Sequence, residues 1–132
     1  FEQYLGQFPA QVFDKINENF IRCSFFELCS RYLSSCYTFA IEQNNSAGRS
    51  DFEMTGIPGT DYYKDDRLAE FKYFKAKEAE RMLALSDPRP EDVAQVLAYA
   101  KDTKEKFPYY HVRSYIVYIC ANKGWKCWEV TP

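Results

Sequence analysis

Apolar residues recur at three- and four-residue intervals through most of this chain. After FEQYLGQF, the positions Val12, Phe13, Ile16, Phe20 and Cys23 form one stripe. From Phe25 onward, Phe26, Cys29, Tyr32, Leu33, Cys36, Phe39 and Ala40 occupy nearly the opposite side. A straight amphipathic helix cannot carry both stripes. The spacing therefore predicts a helix entered at Pro9 that either kinks near Arg22 to Ser24 or turns apolar all round as the central rod of a bundle. Residues 44–60, ending in GIPGT, read as a long loop. A second helix is expected after Asp61 to Asp66, with Leu68, Phe71, Ala79, Met82 and Leu83 on one face and the stem of Lys75 snorkelling across it. The segment SDPRPEDVAQVLAYAKDTKEKF places Pro90, Glu91 and Asp92 in a first helical turn and presents Val93, Val96, Leu97 and Ala100. In YYHVRSYIVYICANKG, the residues Val112, Tyr115, Ile116, Ile119 and Cys120 sit at helical spacing, and Gly124 ends the pattern as a C′ residue. No window alternates with period two between turn signals. The predicted fold is all-α, a compact disulfide-stapled helical bundle of four to five helices forming a single domain over residues 1–132.

The cysteines change the picture most. There are five, at 23, 29, 36, 120 and 127. A structural zinc site needs four clustered Cys or His ligands, and here the closest cysteines are six apart with one histidine in the chain. A thioredoxin-like site needs C-x-x-C, which is absent. A disulfide framework is the reading that survives. Cys29 and Cys36 are seven apart, as are Cys120 and Cys127, so two bridges between the pairs would tie the front of the chain to its end. Each would close a loop of roughly 85 to 100 residues and contribute about 4 kcal/mol in the chain-entropy picture. Antiparallel packing of the last helix on the first favours Cys36 with Cys120 and Cys29 with Cys127, with the other pairings left open, and Cys23 is left as a buried thiol. A rival reading is a cytosolic fragment with five ordinary reduced cysteines. Asn44-Asn45-Ser46 is an N-glycosylation acceptor in NNSAGRSD, which makes Asn44 a candidate modification site. Bridges and acceptor together predict a secreted, extracellular protein, and the start at Phe1 reads as a mature, processed form.

Composition then narrows the chemistry. Aromatic residues are 18% of the chain, enough for a globular core. A net charge of -2 offers no footprint for nucleic acid or anionic lipid, and no apolar run is long enough to cross a bilayer. Neither nucleic acid nor membrane insertion is therefore expected. His111, the one histidine, lies off the main stripe, and the carboxylates Asp65-Asp66, Glu78-Glu80 and Glu91-Asp92 read as solvated faces or first-turn charges. With no phosphate-binding glycine loop or calcium loop, no catalytic residue, metal or cofactor is expected, and the chain reads as a binding protein rather than an enzyme. Its candidate contact surface is Tyr62, Tyr63, Lys64, Asp65, Asp66 and Arg67, tyrosines among charges in GTDYYKDDR. Trp125 and Trp128 in GWKCWEVTP are expected to cover the bridge at Cys127.

The start FEQYLGQFPAQVFDKINENF, the cysteine layout and the ending YHVRSYIVYICANKGWKCW resemble the salivary inhibitors of anopheline mosquitoes typified by anophensin and albicin. The likeness covers essentially the whole chain but rests on overall character rather than a short motif. It implies a secreted, disulfide-linked helical protein acting in blood feeding as a non-enzymatic inhibitor of host defence. Its partner would be a host plasma protein, the alternative-pathway complement convertase or a component of the kinin-generating contact system. The alternative function is a helical carrier of small hydrophobic ligands resembling the odorant-binding proteins, to which the aromatic excess is suited.

Overall fold

The computed structural model of the protein describes residues 1–45 and 48–131 and, outside 42–50, their side chains. Its architecture is α/β, which corrects the all-helical expectation. Helix α1 (Glu2–Leu5) and a 3-10 turn (Ala10–Asp14) lead into α2 (Glu18–Leu33). The strands β1 (Tyr37–Asn45), β2 (Gly48–Gly56) and β3 (Asp65–Phe74) follow. After them come α3 (Ala76–Leu83), α4 (Pro90–Lys106), β4 (His111–Cys120) and β5 (Gly124–Val130). The strands form one sheet in the order β1-β2-β3-β4-β5, antiparallel except for β3 and β4, which run parallel over ten residue pairs. A parallel pair cannot be joined by a tight turn, and α3 with α4 supplies the crossover.

The sheet divides the core in two. On one face α2 packs over β1 to β3, where Ile21, Cys29, Phe52 and Phe71 are buried. On the other face α3 and α4 cover β3 to β5 around Met82, Val96, Ile116, Tyr118 and Cys120. Strand β4 is therefore apolar on both sides: Ile116 and Tyr118 are fully buried on the α4 side, and Ile119 is buried on the α2 side. Such a strand reads as a continuous apolar run rather than an alternation, and the same run satisfies helical spacing. That is why the last predicted helix is a strand. Gly124 opens β5 after a short turn from Cys120 instead of ending a helix.

Helix α4 begins at Pro90, as its first-turn signals predict. The first long helix does not hold as drawn. Its break falls at Asn17, earlier than the predicted kink, because the Asn17 side chain accepts the Phe20 N–H at 3.0 Å and caps α2. At its far end, Tyr37, Phe39 and Ile41 belong to a strand and alternate with Thr38, Ala40 and Glu42. The stretch read as a long loop is largely the β1–β2 hairpin and the turn after it. The helix expected from residue 67 is instead β3 followed by α3, and Lys75 is the exposed N-cap residue of α3 rather than a snorkelling core lysine.

The disulfide framework is also corrected. Cys23, Cys29, Cys36, Cys120 and Cys127 are all free thiols. Cys36 precedes the edge strand β1 while Cys120 ends β4, three strands away, and at about 4.8 Å per strand that span exceeds the roughly 7 Å reach of a bridge. Cys29 is buried against the α2 face and Cys127 lies exposed on the opposite edge strand β5. Trp128 covers no bridge: its ring packs edge-on against Tyr118 at 5.1 Å, while Trp125 donates to Glu2 at 2.9 Å. With the bridges gone, the cysteines no longer argue for an extracellular compartment. Asn44 pairs with Arg49 in the hairpin, but its side chain and Ser46 lie outside the described residues.

Candidate active site

Strands β2 and β3 pair only from Phe52 with Ala69 to Thr55 with Asp66. Beyond Phe52 they part, and the exposed edge of β3 must find other acceptors for its N–H groups. Asp51 supplies the first: its Oδ2 accepts the Phe71 N–H at 2.9 Å. Glu18, on the first turn of α2, supplies the second, its Oε1 accepting the Tyr73 N–H at 3.4 Å. Two carboxylates are thus drawn to the fork by the backbone itself. The other oxygen of Asp51 accepts from Arg22 Nη1 at 2.8 Å, in an ion pair whose two side chains are both buried. Arg22 stands one helical turn after Glu18, on the same face of α2, and its Nη2 donates to Asn19 at 3.3 Å. Capping by Asn17 sets the start of this helix and so aims all three side chains.

Strand alternation turns Glu70 and Lys72 to one face of β3 and Phe71 to the other. Lys72 Nζ lies 3.2 Å from Glu70 Oε1. The second oxygen of Glu70, Oε2, is buried with no hydrogen-bond partner. Burial pushes the Glu70 carboxyl up to about 7; the nearby Asp51 and Glu18 charges add to this and Lys72 opposes it. Burial works against the charge of Lys72, but Glu70, Glu18 and Asp92 outweigh it and hold the ammonium above the ordinary lysine range. At neutral pH, then, Lys72 is a proton-bearing donor. An open cleft of about 600 Å³ lies beside Glu18, with Asn19 and Tyr73 on its wall and Lys75 and Lys77 exposed on its rim.

The contact surface read from sequence lies elsewhere. Asp65 stands five residues before Glu70 on β3, about 16 Å along the strand. Tyr62 and Tyr63 are exposed in the turn, and the Lys64 carbonyl accepts the His111 N–H at 2.7 Å. Asp65 accepts from Tyr37 at 2.6 Å and from Arg67 at 2.9 Å. Burial works against ionisation of Asp65, yet those two hydrogen bonds hold its carboxyl below the ordinary range. Asp66 is 1% exposed and cannot touch a partner. The residues that do converge, Glu18, Arg22, Asp51, Glu70 and Lys72, were missed. Their one signal in the sequence is an acid followed two residues later by lysine, Glu70-Phe71-Lys72, with Asp51 upstream.

A mixed sheet whose fork brings Asp51, Glu18 and Glu70 toward Lys72 has the residue types of a carboxylate–lysine site. The family model described as the PD-(D/E)XK nuclease superfamily matches residues 16–129, and the chain belongs to that superfamily. The chain spells an acid, Asp51, ahead of Glu70-Phe71-Lys72 in the order that the superfamily's name writes, with Ser50 rather than proline before Asp51. No curated protein and no solved structure matches the chain.

Membership overturns several expectations. The chain is not a member of the anopheline salivary inhibitor family, and the readings as a complement or contact-system inhibitor and as an odorant-binding-like carrier both fall. Members of the superfamily are nucleases, so the non-enzyme expectation is corrected as well. So is the partner assignment: nucleic acid, not a host plasma protein, is what such domains act on. The small net negative charge misled because it sums over the whole surface, whereas a polyanion meets the local field of a few cations. Among the described residues, no helix is long and apolar enough to cross a membrane.

Proposed function

We propose that this domain is a nuclease that hydrolyses phosphodiester bonds at the fork between β2 and β3, with a divalent cation held by Asp51 and Glu70. The observation that carries the reading is the juxtaposition of Asp51, Glu70 and Lys72 where the two strands part. The donor set suits a hard cation. Glu70 Oε2 is a buried oxygen without a partner, and an ionised carboxylate such as Asp51 has lone pairs beyond the two contacts it makes. Among the described residues no group of three or more His, Cys, Asp or Glu side chains is placed to hold a metal ion, so the cation proposed is Mg²⁺, which takes one or two carboxylates and keeps its waters. A bound cation would neutralise charge on the phosphodiester and lower the pKa of attacking water.

The chain's own groups do the rest. Lys72, held by Glu70 and kept protonated, donates to charge that develops on the phosphate oxygens. Lys75 and Lys77 flank the cleft beside Glu18 and favour an approaching polyanion. The test is to incubate the protein with single- and double-stranded DNA and with RNA in Mg²⁺ or Mn²⁺ and follow fragment lengths. Cleavage is expected with cation and not with chelator. Asp51→Asn, Glu70→Gln and Lys72→Met should each lower the rate by about 100-fold or more while the circular dichroism spectrum is retained. Cleavage that survives Glu70→Gln at full rate would defeat the assignment.

A further inference from the structure

Resting on that reading, we infer that Arg22 is a built-in counter-cation of the site, exchanging Asp51 for the substrate's phosphate when a divalent cation binds. Three observations carry it. Arg22 Nη1 sits 2.8 Å from Asp51 Oδ1, the oxygen that the Phe71 N–H leaves available. The pair is almost fully buried, with side chains 9% and 7% exposed, so each charge helps compensate the other where water is scarce. The guanidinium belongs to α2, whose first turn also brings Glu18 to the β3 edge and to the open cleft.

Arg22 therefore does electrostatically what a bound ion would do: it compensates Asp51. A dication arriving at Asp51 and Glu70 meets that positive charge at the same oxygen. The two compete, and binding proceeds by moving the guanidinium off Oδ1. A planar fork of N–H donors freed from Asp51 matches a phosphate, which accepts two parallel hydrogen bonds from arginine. No bond is made or broken in the exchange; one ion pair replaces another. Arg22 is thus a positioning residue in the resting site and a phosphate ligand in the loaded one.

The experiment measures Mn²⁺ binding by calorimetry to wild type, Arg22→Gln, Arg22→Lys and Glu70→Gln, each checked for folding by circular dichroism. Competition for one carboxylate predicts Mn²⁺ binding about tenfold tighter to Arg22→Gln than to wild type, with Arg22→Lys between them. In Ca²⁺, a short fluorescent oligonucleotide should bind Arg22→Gln about tenfold more weakly than wild type. A second readout needs no variant: wild-type protein is treated with phenylglyoxal and its arginine adducts are mapped by mass spectrometry, with labelling of Arg22 expected to rise when Mn²⁺ is added. Equal Mn²⁺ affinity for wild type and Arg22→Gln, or unchanged Arg22 labelling in Mn²⁺-saturated wild type, overturns the exchange. Failure of wild type to bind Mn²⁺ at all defeats the cation reading instead. Binding that Glu70→Gln abolishes but Arg22→Gln leaves unchanged defeats the exchange alone.

Discussion

Asp66 offers a quantitative test of how this fold holds its acids. It lies on β3 between Thr55 of β2 and Val112 of β4, 1% exposed, with Oδ1 buried and without a hydrogen-bond partner. Burial pushes its carboxyl up to about 7 from an ordinary 3.8, and the charges of Glu53 and Asp65 add to the effect. Between those two values the folded chain holds a proton that the unfolded chain has released, so stability falls as pH rises through the window. At about 1.36 kcal/mol for each pH unit, the full cost above pH 7 is about 4 kcal/mol. Against a typical domain stability of about 5–15 kcal/mol, that is large enough to measure. Asp66→Asn removes the titration while keeping the shape. The assay is urea unfolding followed by tryptophan fluorescence at several pH values from 4 to 8, for both chains. The stability of the variant relative to wild type should climb by about 4 kcal/mol across that range. Any constant penalty from the buried amide cancels, because the readout is the slope. Glu70 also titrates near 7 but stands four residues along the strand, about 13 Å away, and contributes alike to both chains. Parallel stability curves over this range would refute the reasoning.

Two further outcomes are expected. Tyr118, fully buried, donates its hydroxyl hydrogen to Asp92 and accepts the Arg89 N–H at 2.9 Å; Tyr118→Phe should cost about 1–3 kcal/mol in thermal denaturation, and a variant as stable as wild type would show that this bond contributes nothing. All five cysteines should react with a thiol reagent in denaturant without reductant; a count of three or one would restore the bridges that the fold rules out.

Some of this molecule is legible from the order of its residues. Pro90 followed by Glu91 and Asp92 marks the start of α4, because a missing N–H and first-turn acids are local needs met by local residues. Other local signals existed but were outweighed: Tyr37, Phe39 and Ile41 alternate as a strand should, yet continue a helical stripe from the residues before them. Strand β4 could not be recognised by pattern, since a strand covered on both faces has no polar side to alternate with.

The site divides in the same way. The chain spells an acid, any residue and lysine twice, at Glu70-Phe71-Lys72 and at Asp102-Thr103-Lys104, and nothing local separates them. The second lies on α4, where Asp102 pairs with Lys106 at 2.9 Å and Lys104 Nζ donates to the Tyr110 carbonyl at 2.6 Å. Only the sheet chooses the first, by setting β3 beside β2 and letting them part where Asp51 can take the Phe71 N–H. Sequence alone determined side-chain chemistry and the α4 boundary, both of which depend on neighbours along the chain. Which acids meet, which lysine keeps its proton and which arginine compensates a buried charge were decided by tertiary structure, because those properties depend on residues 20 to 55 positions apart brought within hydrogen-bonding distance.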